Sequence, residues 1–391
     1  MKGKAFVRRF CPKIPLLRRQ LTRMKLKEYY KHIMPEEEIA LGEKNPQEKR
    51  RLVEKYAAQW SAYTAAVDVK IEEIFRRAPV YAQRQDKEKL RVDMRFCRYA
   101  YGFQPDEYEV FKLEDMDMEQ RRAYVSDIER YRYIYRINDI IDVGVYFDKF
   151  ETYKAFAPYY HREAILIEKP AHFESFRQFV RLHPVFVKKR VELSKGDSVA
   201  LVDSAAPGFD LKGCFDKMVS EGRHILEEKI EQSSIMSSLN ASSVNTVRCM
   251  TFNTRKGIIV SYCFLKVGQD GSFVDNGGAG GILIGIDSES GKASTDGFDE
   301  FGTRYEKHPA TNVEFKGFQL PEWEQMTSLC KKLSAQTPSV RFVGWDMAHT
   351  ENGWIVVEGN GSSQLIVPQI VWERGIKADV EELLKNVDMI V

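Results

Sequence analysis

Long apolar runs are missing from this 391-residue chain: none approaches the roughly 20 residues that a membrane-crossing helix needs, so no such helix is expected. The N-terminus is basic but lacks the apolar core of a secretory signal, and none is expected there. Cysteine is scarce. The six residues Cys11, Cys97, Cys214, Cys249, Cys263 and Cys330 include no Cys-x-x-Cys pair, which argues against zinc and against a disulfide framework. They read as reduced, mostly buried thiols of a cytosolic protein. A global excess of one charge is also absent. The formal net charge is only +2, so the chain carries no overall nucleic-acid signature. A helix-opening Gly-x-Gly-x-x-Gly is missing too. The cluster Gly277-Gly278-Ala279-Gly280-Gly281 runs instead into the β-rich Ile282 to Ile286, which excludes a dinucleotide fingerprint.

What is present is globular: 43% of the residues are hydrophobic, enough for two or three domains with substantial cores. Charge is segregated locally. Residues 1 to about 34 carry Lys2, Lys4, Arg8, Arg9, Lys13, Arg18, Arg19, Arg23, Lys25, Lys27 and Lys31 against Glu28 alone, interleaved with apolar side chains. Such a segment is a candidate for peripheral contact with an anionic membrane or a glycosyltransferase. Pro12 and Pro15 interrupt it, so a helix docking its apolar stripe on its own domain is the preferred reading.

From Pro35 to about Tyr101 the pattern is helical. Asn45-Pro46 reads as a cap followed by proline at the first helical position, and Leu52, Tyr56, Trp60 and Tyr63 share one face. Asp106 to Asn138 reads as a further helix rich in Arg and Tyr, with Asp127 and Glu129 as charge partners. Val185-Phe186-Val187-Lys188 reads as a buried strand ending in a lysine before the loop Leu193 to Ser198. A lysine and loop amides in that order suit phosphate. Arg223 to Ile230 is an apolar strand running into Glu227 and Glu228, and Ser242 to Phe252 is β-rich with Arg248 inside it. An arginine on a strand is a rigid clamp for phosphate; a structural ion pair is the alternative.

The most informative stretch is Phe342 to Gln364, FVGWDMAHTENGWIVVEGNGSSQ. Two apolar runs flank Asn352-Gly353, a hairpin-turn dipeptide. Glu358 and Asn360, two apart on a strand, face the same way, and hairpin pairing can bring Asp346 beside them. Two carboxylates and an amide oxygen are hard ligands of the kind Mg²⁺ accepts; an ordinary hairpin with a wet side is the alternative.

Asp346 followed by Glu358-Gly359-Asn360 resembles the metal-binding signature of the ATP-grasp superfamily. Val343-Gly344-Trp345-Asp346 and Val357-Glu358-Gly359-Asn360 are closest in wording to the sugar-transfer-associated ATP-grasp proteins. The resemblance runs from about Asp106 to about Gln369 and leaves the first hundred residues unaccounted for. It implies an α+β protein, a two-lobed ATP-grasp fold with an α-helical N-terminal region. The expected division is a basic, mainly helical region 1–104, a linking region 105–180 and a nucleotide-binding catalytic domain 181–391.

The resemblance also implies roles. Lys149, in the pair Asp148-Lys149, matches a phosphate-reaching lysine, and Lys188 matches the second nucleotide lysine. The loop after Lys188 departs from the family's glycine-rich pattern, with Gly196 alone. Glu227, Glu228 and Ile230 match the hinge that meets adenine and ribose. Ser243 to Arg248 is similar to the family's Ser-x-Asn-Thr-x-Arg motif, with Asn245 toward nucleotide and Arg248 at the transferring phosphoryl group. His308 and Asn276 become candidate contacts to the acceptor; an anchoring role in their loops is the alternative. Asp346, Glu358 and Asn360 would hold Mg²⁺. ATP and Mg²⁺ are thus the implied cofactors. The implied activity is carboxylate–amine ligation through an acyl phosphate, on a small carboxylate and an amine or sugar-derived acceptor in surface-polysaccharide or cell-envelope building. The setting would be cytoplasmic, or peripheral at the inner membrane face. A hydroxyl kinase and a nucleotide-binding module without turnover are the alternatives.

Overall fold

A computed structural model describes residues 15–192, 199–269, 271–275 and 277–391. The chain forms two compact units. One combines residues 1–141 with 364–391; the other spans 142–363. The division expected from the sequence, at 104/105 and 180/181, follows sequence pattern; the compact units instead divide at 141/142 and 363/364.

The first unit is helical. Asn45 caps helix Pro46–Gln59, its Oδ1 accepting from the Gln47 and Glu48 amides at 2.9 and 3.3 Å. Leu52, Val53 and Tyr56 of that helix are buried with Phe96 and Tyr99. The expected long helix over Asp106 to Asn138 is broken into Pro105–Val110, a 3₁₀ turn Leu113–Asp115, Met118–Arg122 and Asp127–Ile137. The breaks have local causes. Lys112 takes a left-handed conformation, and the side chains of Asp117 and Ser126 cap new helices. Helix Pro15–Tyr30 docks one face through buried Thr22, an Arg18–Asp139 ion pair at 2.8 Å and stacking of Tyr29 on Tyr131 at 4.2 Å. The C-terminal segment closes this unit. The Gln369 amide side chain accepts from Val125 N at 2.7 Å and donates to Val125 O at 2.9 Å, and Lys377 pairs with Glu129 at 2.6 Å.

The second unit holds two antiparallel sheets. Strands β1 (Ala164–Ile167), β2 (Val185–Arg190), β3 (Ala200–Asp203) and β4 (His224–Glu228) form a small sheet in the order β1-β4-β2-β3. Phe186 and Leu226 on one of its faces pack with Phe176, Phe179, Phe215 and Met218 of the helices Phe173–Leu182 and Leu211–Glu221. Strands β5 (Thr246–Thr254), β6 (Gly257–Val267), β7 (Ile282–Ile286), β8 (Ala293–Phe298), β9 (Arg304–Tyr305), β10 (Phe342–Thr350) and β11 (Gly353–Asn360) form the larger sheet. Its order is β11-β10-β5-β6-β7-β8-β9. Val247, Cys249, Cys263, Leu265 and Trp345 turn to a core shared with Met326, Cys330 and Leu333 of helix Trp323–Ala335. The alternation of strand side chains leaves the other face for polar groups. Among the described residues no helix is long and apolar enough to cross a membrane, and the five described cysteines are unbridged.

The hairpin turn lies one residue earlier than the Asn352-Gly353 dipeptide suggests. Thr350 pairs with Gly353, so Glu351 and Asn352 make the turn, and Gly353 takes φ 101° at the start of β11. The register is 347 with 356 near the turn and 346 with 358 beyond it. Val357 is therefore the extra residue of a bulge. Gly359 lies under the bulge's far side, where an added Cβ would meet the rings of Trp345 and Tyr146 at 2.8 and 2.9 Å. Gly359→Ala is expected to cost about 1–3 kcal/mol of stability by overpacking, measured by denaturant unfolding; unchanged stability would contradict this packing.

Candidate active site

The bulge decides which side chains share the polar face of the larger sheet. Asp346 stands opposite Glu358 on β11 and opposite Arg248 on β5; Gly344 stands opposite Asn360, and Thr246 opposite Lys266 on β6. Residues directly opposed point the same way, so Glu358, Asn360, Asp346, Arg248, Thr246 and Lys266 form one row.

Asp346 is buried at the centre of that row. Arg248 donates to it from Nε and from Nη2, the latter at 2.7 Å, and Lys266 Nζ lies 3.2 Å from its Oδ2. Burial alone would raise the Asp346 carboxyl, but Arg248 and Lys266 outweigh it and hold the group below its usual range. Arg248 Nη1 donates to Ser363 Oγ at 3.0 Å. Asp275 accepts from Thr246 N at 2.9 Å and lies 4.0 Å from Lys266; burial outweighs these partners and raises its carboxyl. Glu358 Oε1 accepts from Asn360 Nδ2 at 3.0 Å, which leaves Glu358 Oε2 and Asn360 Oδ1 as open oxygen donors.

A second cluster faces Glu358 from the smaller sheet. Glu227 is buried on β4 and accepts from Arg162 at 2.7 and 3.0 Å and from Lys189 at 3.0 and 3.1 Å. Burial pushes its carboxyl up, yet Lys189 and Arg162 prevail and bring it down to about 2. Lys149 opens helix Lys149–Phe156, which Asp148 caps by accepting from Phe150 N and Glu151 N, both at 3.0 Å. Burial lowers the Lys149 ammonium; the Glu358 and Glu227 carboxylates work against that, and Lys189 adds to it. Lys149 is thus within electrostatic reach of Glu358, Glu227 and Lys189.

The structure thus brings Lys149, Arg248, Asp346, Glu358 and Asn360 to one region and moves other expected residues away from it. Lys188 is corrected. It pairs with Leu226 on β4, sharing the face of Phe186 that the helices cover, and it acts on the Cys214 thiol there. The lysine on the open face is Lys189. Glu227 is engaged by Arg162 and Lys189, so it serves as their counter-ion rather than as a free ribose ligand. Glu228 accepts from Glu163 N at 3.2 Å and lies on the other face of β4; Ile230 is half-buried two residues past the strand.

Asn245 is fully buried and holds its own loop. Its side chain donates to Met236 O and Asn240 O at 2.9 and 2.7 Å and accepts from Ser243 Oγ at 2.9 Å, so both of its donors are used within the loop. His308 is likewise a buried anchor, with Nε2 3.0 Å from Gly268 O and Nδ1 accepting from Thr311 N at 3.2 Å. Asn276 and the loop Leu193 to Ser198 lie outside the described residues.

The donor chemistry fits a hard cation. Glu358 and Asn360 offer open oxygens, and Asp346 stands beside them with its charge shared by two cationic partners. Among the described residues no group of three or more His, Cys, Asp or Glu side chains has metal-holding geometry. Any metal here would therefore rest on two carboxylates, an amide and oxygens of its ligand.

Residues 210–388 match the sugar-transfer associated ATP-grasp family. The matched ATP-grasp segment contains Glu227, Arg248, Lys266, Asp346, Glu358 and Asn360. No curated protein matches the chain. Among solved structures it is similar to the ATP-grasp ligase PsnB complexed with a minimal precursor, at 10% identity over 64% of each chain with a TM-score of 0.39. It is similar to the D-alanine–D-alanine ligase from Coxiella burnetii at 10% identity, over 63% of this chain and 59% of that one, TM-score 0.39. The ADP complex of PurK, N5-carboxyaminoimidazole ribonucleotide synthetase, shares 12% identity over 57% of this chain and 46% of that one, TM-score 0.37. The chain thus spans less than two thirds of the length of these relatives.

The Glu227 cluster makes a stability prediction. Glu227→Gln leaves buried Arg162 and half-buried Lys189 without their anion and is expected to cost about 3 kcal/mol at neutral pH. A depressed carboxylate stabilises the fold above its unfolded value of 4.5 and loses that contribution as pH falls toward about 2. The difference between wild type and variant in denaturant unfolding should therefore shrink from pH 4.5 downward; a constant difference contradicts the assignment.

Proposed function

We propose that this protein is an ATP-dependent carboxylate–amine ligase. The observation that carries the reading is the polar row Glu358, Asn360, Asp346 and Arg248, with Lys189 bonded to Glu227 and Lys149 acted on by both Glu358 and Glu227. Cations from two sheets converge beside open oxygen donors, which is what a triphosphate and its metal need. Lys149 and Lys189 are assigned to the phosphates, and the half-buried Lys149 is stabilised as a cation when a phosphate reaches it. Glu358 and Asn360, with Asp346 beside them, are assigned to Mg²⁺, which when bound supplies charge neutralisation on the β- and γ-phosphates.

In this reading a substrate carboxylate oxygen attacks the γ-phosphorus, the bond to the β-phosphate oxygen breaks, and ADP leaves. The amine then attacks the acyl carbon, and inorganic phosphate departs with the proton lost by nitrogen. Arg248 uses three N–H groups on Asp346 and Ser363. Its other two can meet a phosphoryl oxygen while the Asp346 pair fixes the guanidinium plane. The acid and amine are assigned to surface-polysaccharide or cell-envelope building on the family's description alone. The unbridged cysteines support a cytoplasmic setting. Exposed Arg19, Arg23 and Lys27, beside exposed Leu16 and Met24, support peripheral contact with an anionic membrane. Flotation with anionic liposomes tests that contact: equal recovery with and without residues 1–34 removes it.

The reaction is tested by ADP release over a panel of sugar acids and amino compounds with hydroxylamine present. A hydroxamate supports the ligase, whereas a stable phosphoester in its place identifies a kinase. Glu358→Gln should abolish ADP formation with the fold intact. Lys189→Met should weaken ATP binding by roughly tenfold or more, and Lys188→Met should leave it unchanged, both by calorimetry. The reverse order would restore Lys188 and remove Lys189.

A further inference from the structure

Arg162 has no place in the motifs of the sequence, yet it is one of the most completely engaged side chains in the chain. It is buried, two residues before β1, and its five N–H groups make five hydrogen bonds to four acceptor atoms. Nε and Nη2 donate to Glu227 Oε2 at 3.0 and 2.7 Å. Nη1 donates to Tyr160 O at 3.3 Å and to Val356 O, and Nη2 donates to Val357 O at 3.1 Å. Val356 and Val357 are the bulge. β11 is an edge strand, so no further strand is there to take these carbonyls.

We propose that Arg162 is a positioning residue that holds the β11 bulge and so aims Glu358 at the nucleotide. The inference rests on the ligase reading above. Its physical basis is register. With the bulge, Asp346 opposes Glu358; continuing the pairing of Met347 with Val356 would set Asp346 opposite Val357. Glu358 would then turn to the core face, because a one-residue slip inverts every side chain. The planar guanidinium bridges two successive carbonyls and a carboxylate at once, which one ammonium cannot do. Glu227 also holds Lys189. When phosphate draws Lys189 away, Glu227 keeps Arg162 as its partner, so occupancy of the small sheet and the aim of Glu358 share one carboxylate.

The test is calorimetric binding of ADP with and without Mg²⁺, alongside amide exchange of residues 354–358. Arg162→Lys should keep magnesium-free ADP affinity within about twofold and lose roughly tenfold or more of the magnesium enhancement, the range expected for a residue supporting a metal ligand. Exchange across 354–358 should accelerate in the unliganded variant. Adding Arg162→Lys to Glu358→Gln should bring no further loss of enhancement. Full enhancement in the Arg162→Lys variant overturns the proposal. So does additive loss in the double variant, or an equal fall of magnesium-free affinity. Wild-type protein that binds no ADP at all would instead bring down the ligase reading itself.

Discussion

The site depends on one extra residue in an edge strand. Val357 shifts the β10–β11 pairing by one position, and that shift sets Glu358 beside Asp346 rather than in the core. Arg248 opposes Asp346 in regular pairing, and Lys266 opposes Thr246 beyond a second register shift, between Arg248 and Met250 in the β5–β6 pair. An edge strand tolerates a bulge because one of its sides has no ladder to break. The same irregularity frees the carbonyls that Arg162 takes up, so the larger sheet is joined through Arg162 and Glu227 to β4 of the smaller one at the point where its aim is set.

Charge in this region is nearly balanced but not evenly distributed. Arg248 and Lys266 both serve Asp346, and Arg162 and Lys189 both serve Glu227. Two anions thus each hold two cations, so the excess of positive charge is built in and kept in place by buried pairing. Such pairs contribute little net stability, because burying the charges costs nearly what their attraction returns. Their effect is to fix positions. Lys149 and Glu358 are both half-buried, and the Glu358 carboxylate works against the lowering of the Lys149 ammonium by burial.

Much of this was legible in the sequence, and the failures have physical reasons. The hairpin and its Asp…Glu-x-Asn pattern could be read because strand alternation is a strict period of two. The turn and the bulge could not, since both are register events that leave no composition signal. Lys188 and Lys189 are separated only by which face of β2 the helices cover, and Val185-Phe186-Val187 is apolar on both faces. Asn245 and His308 carry polar side chains at motif positions, but their bonds go to local carbonyls and amides that no spacing reveals. Asn45 shows the opposite case, where a cap followed by proline is a purely local code and is read correctly.

The route of the chain gives the same lesson at a larger scale. Gln369 reaches Val125, and Ile390 N donates to Arg136 O at 2.7 Å, so the last 28 residues, 364–391, complete the helical unit that the first 141 begin. The sheet unit is therefore an insertion between two halves of one helical body. In sequence it runs from 142 to 363. Asn360 and Ser363 stand at the second of these boundaries, and Ser363 is bonded to Arg248. A contiguous family match to residues 210–388 crosses this boundary without marking it, because sequence similarity follows the chain while packing does not.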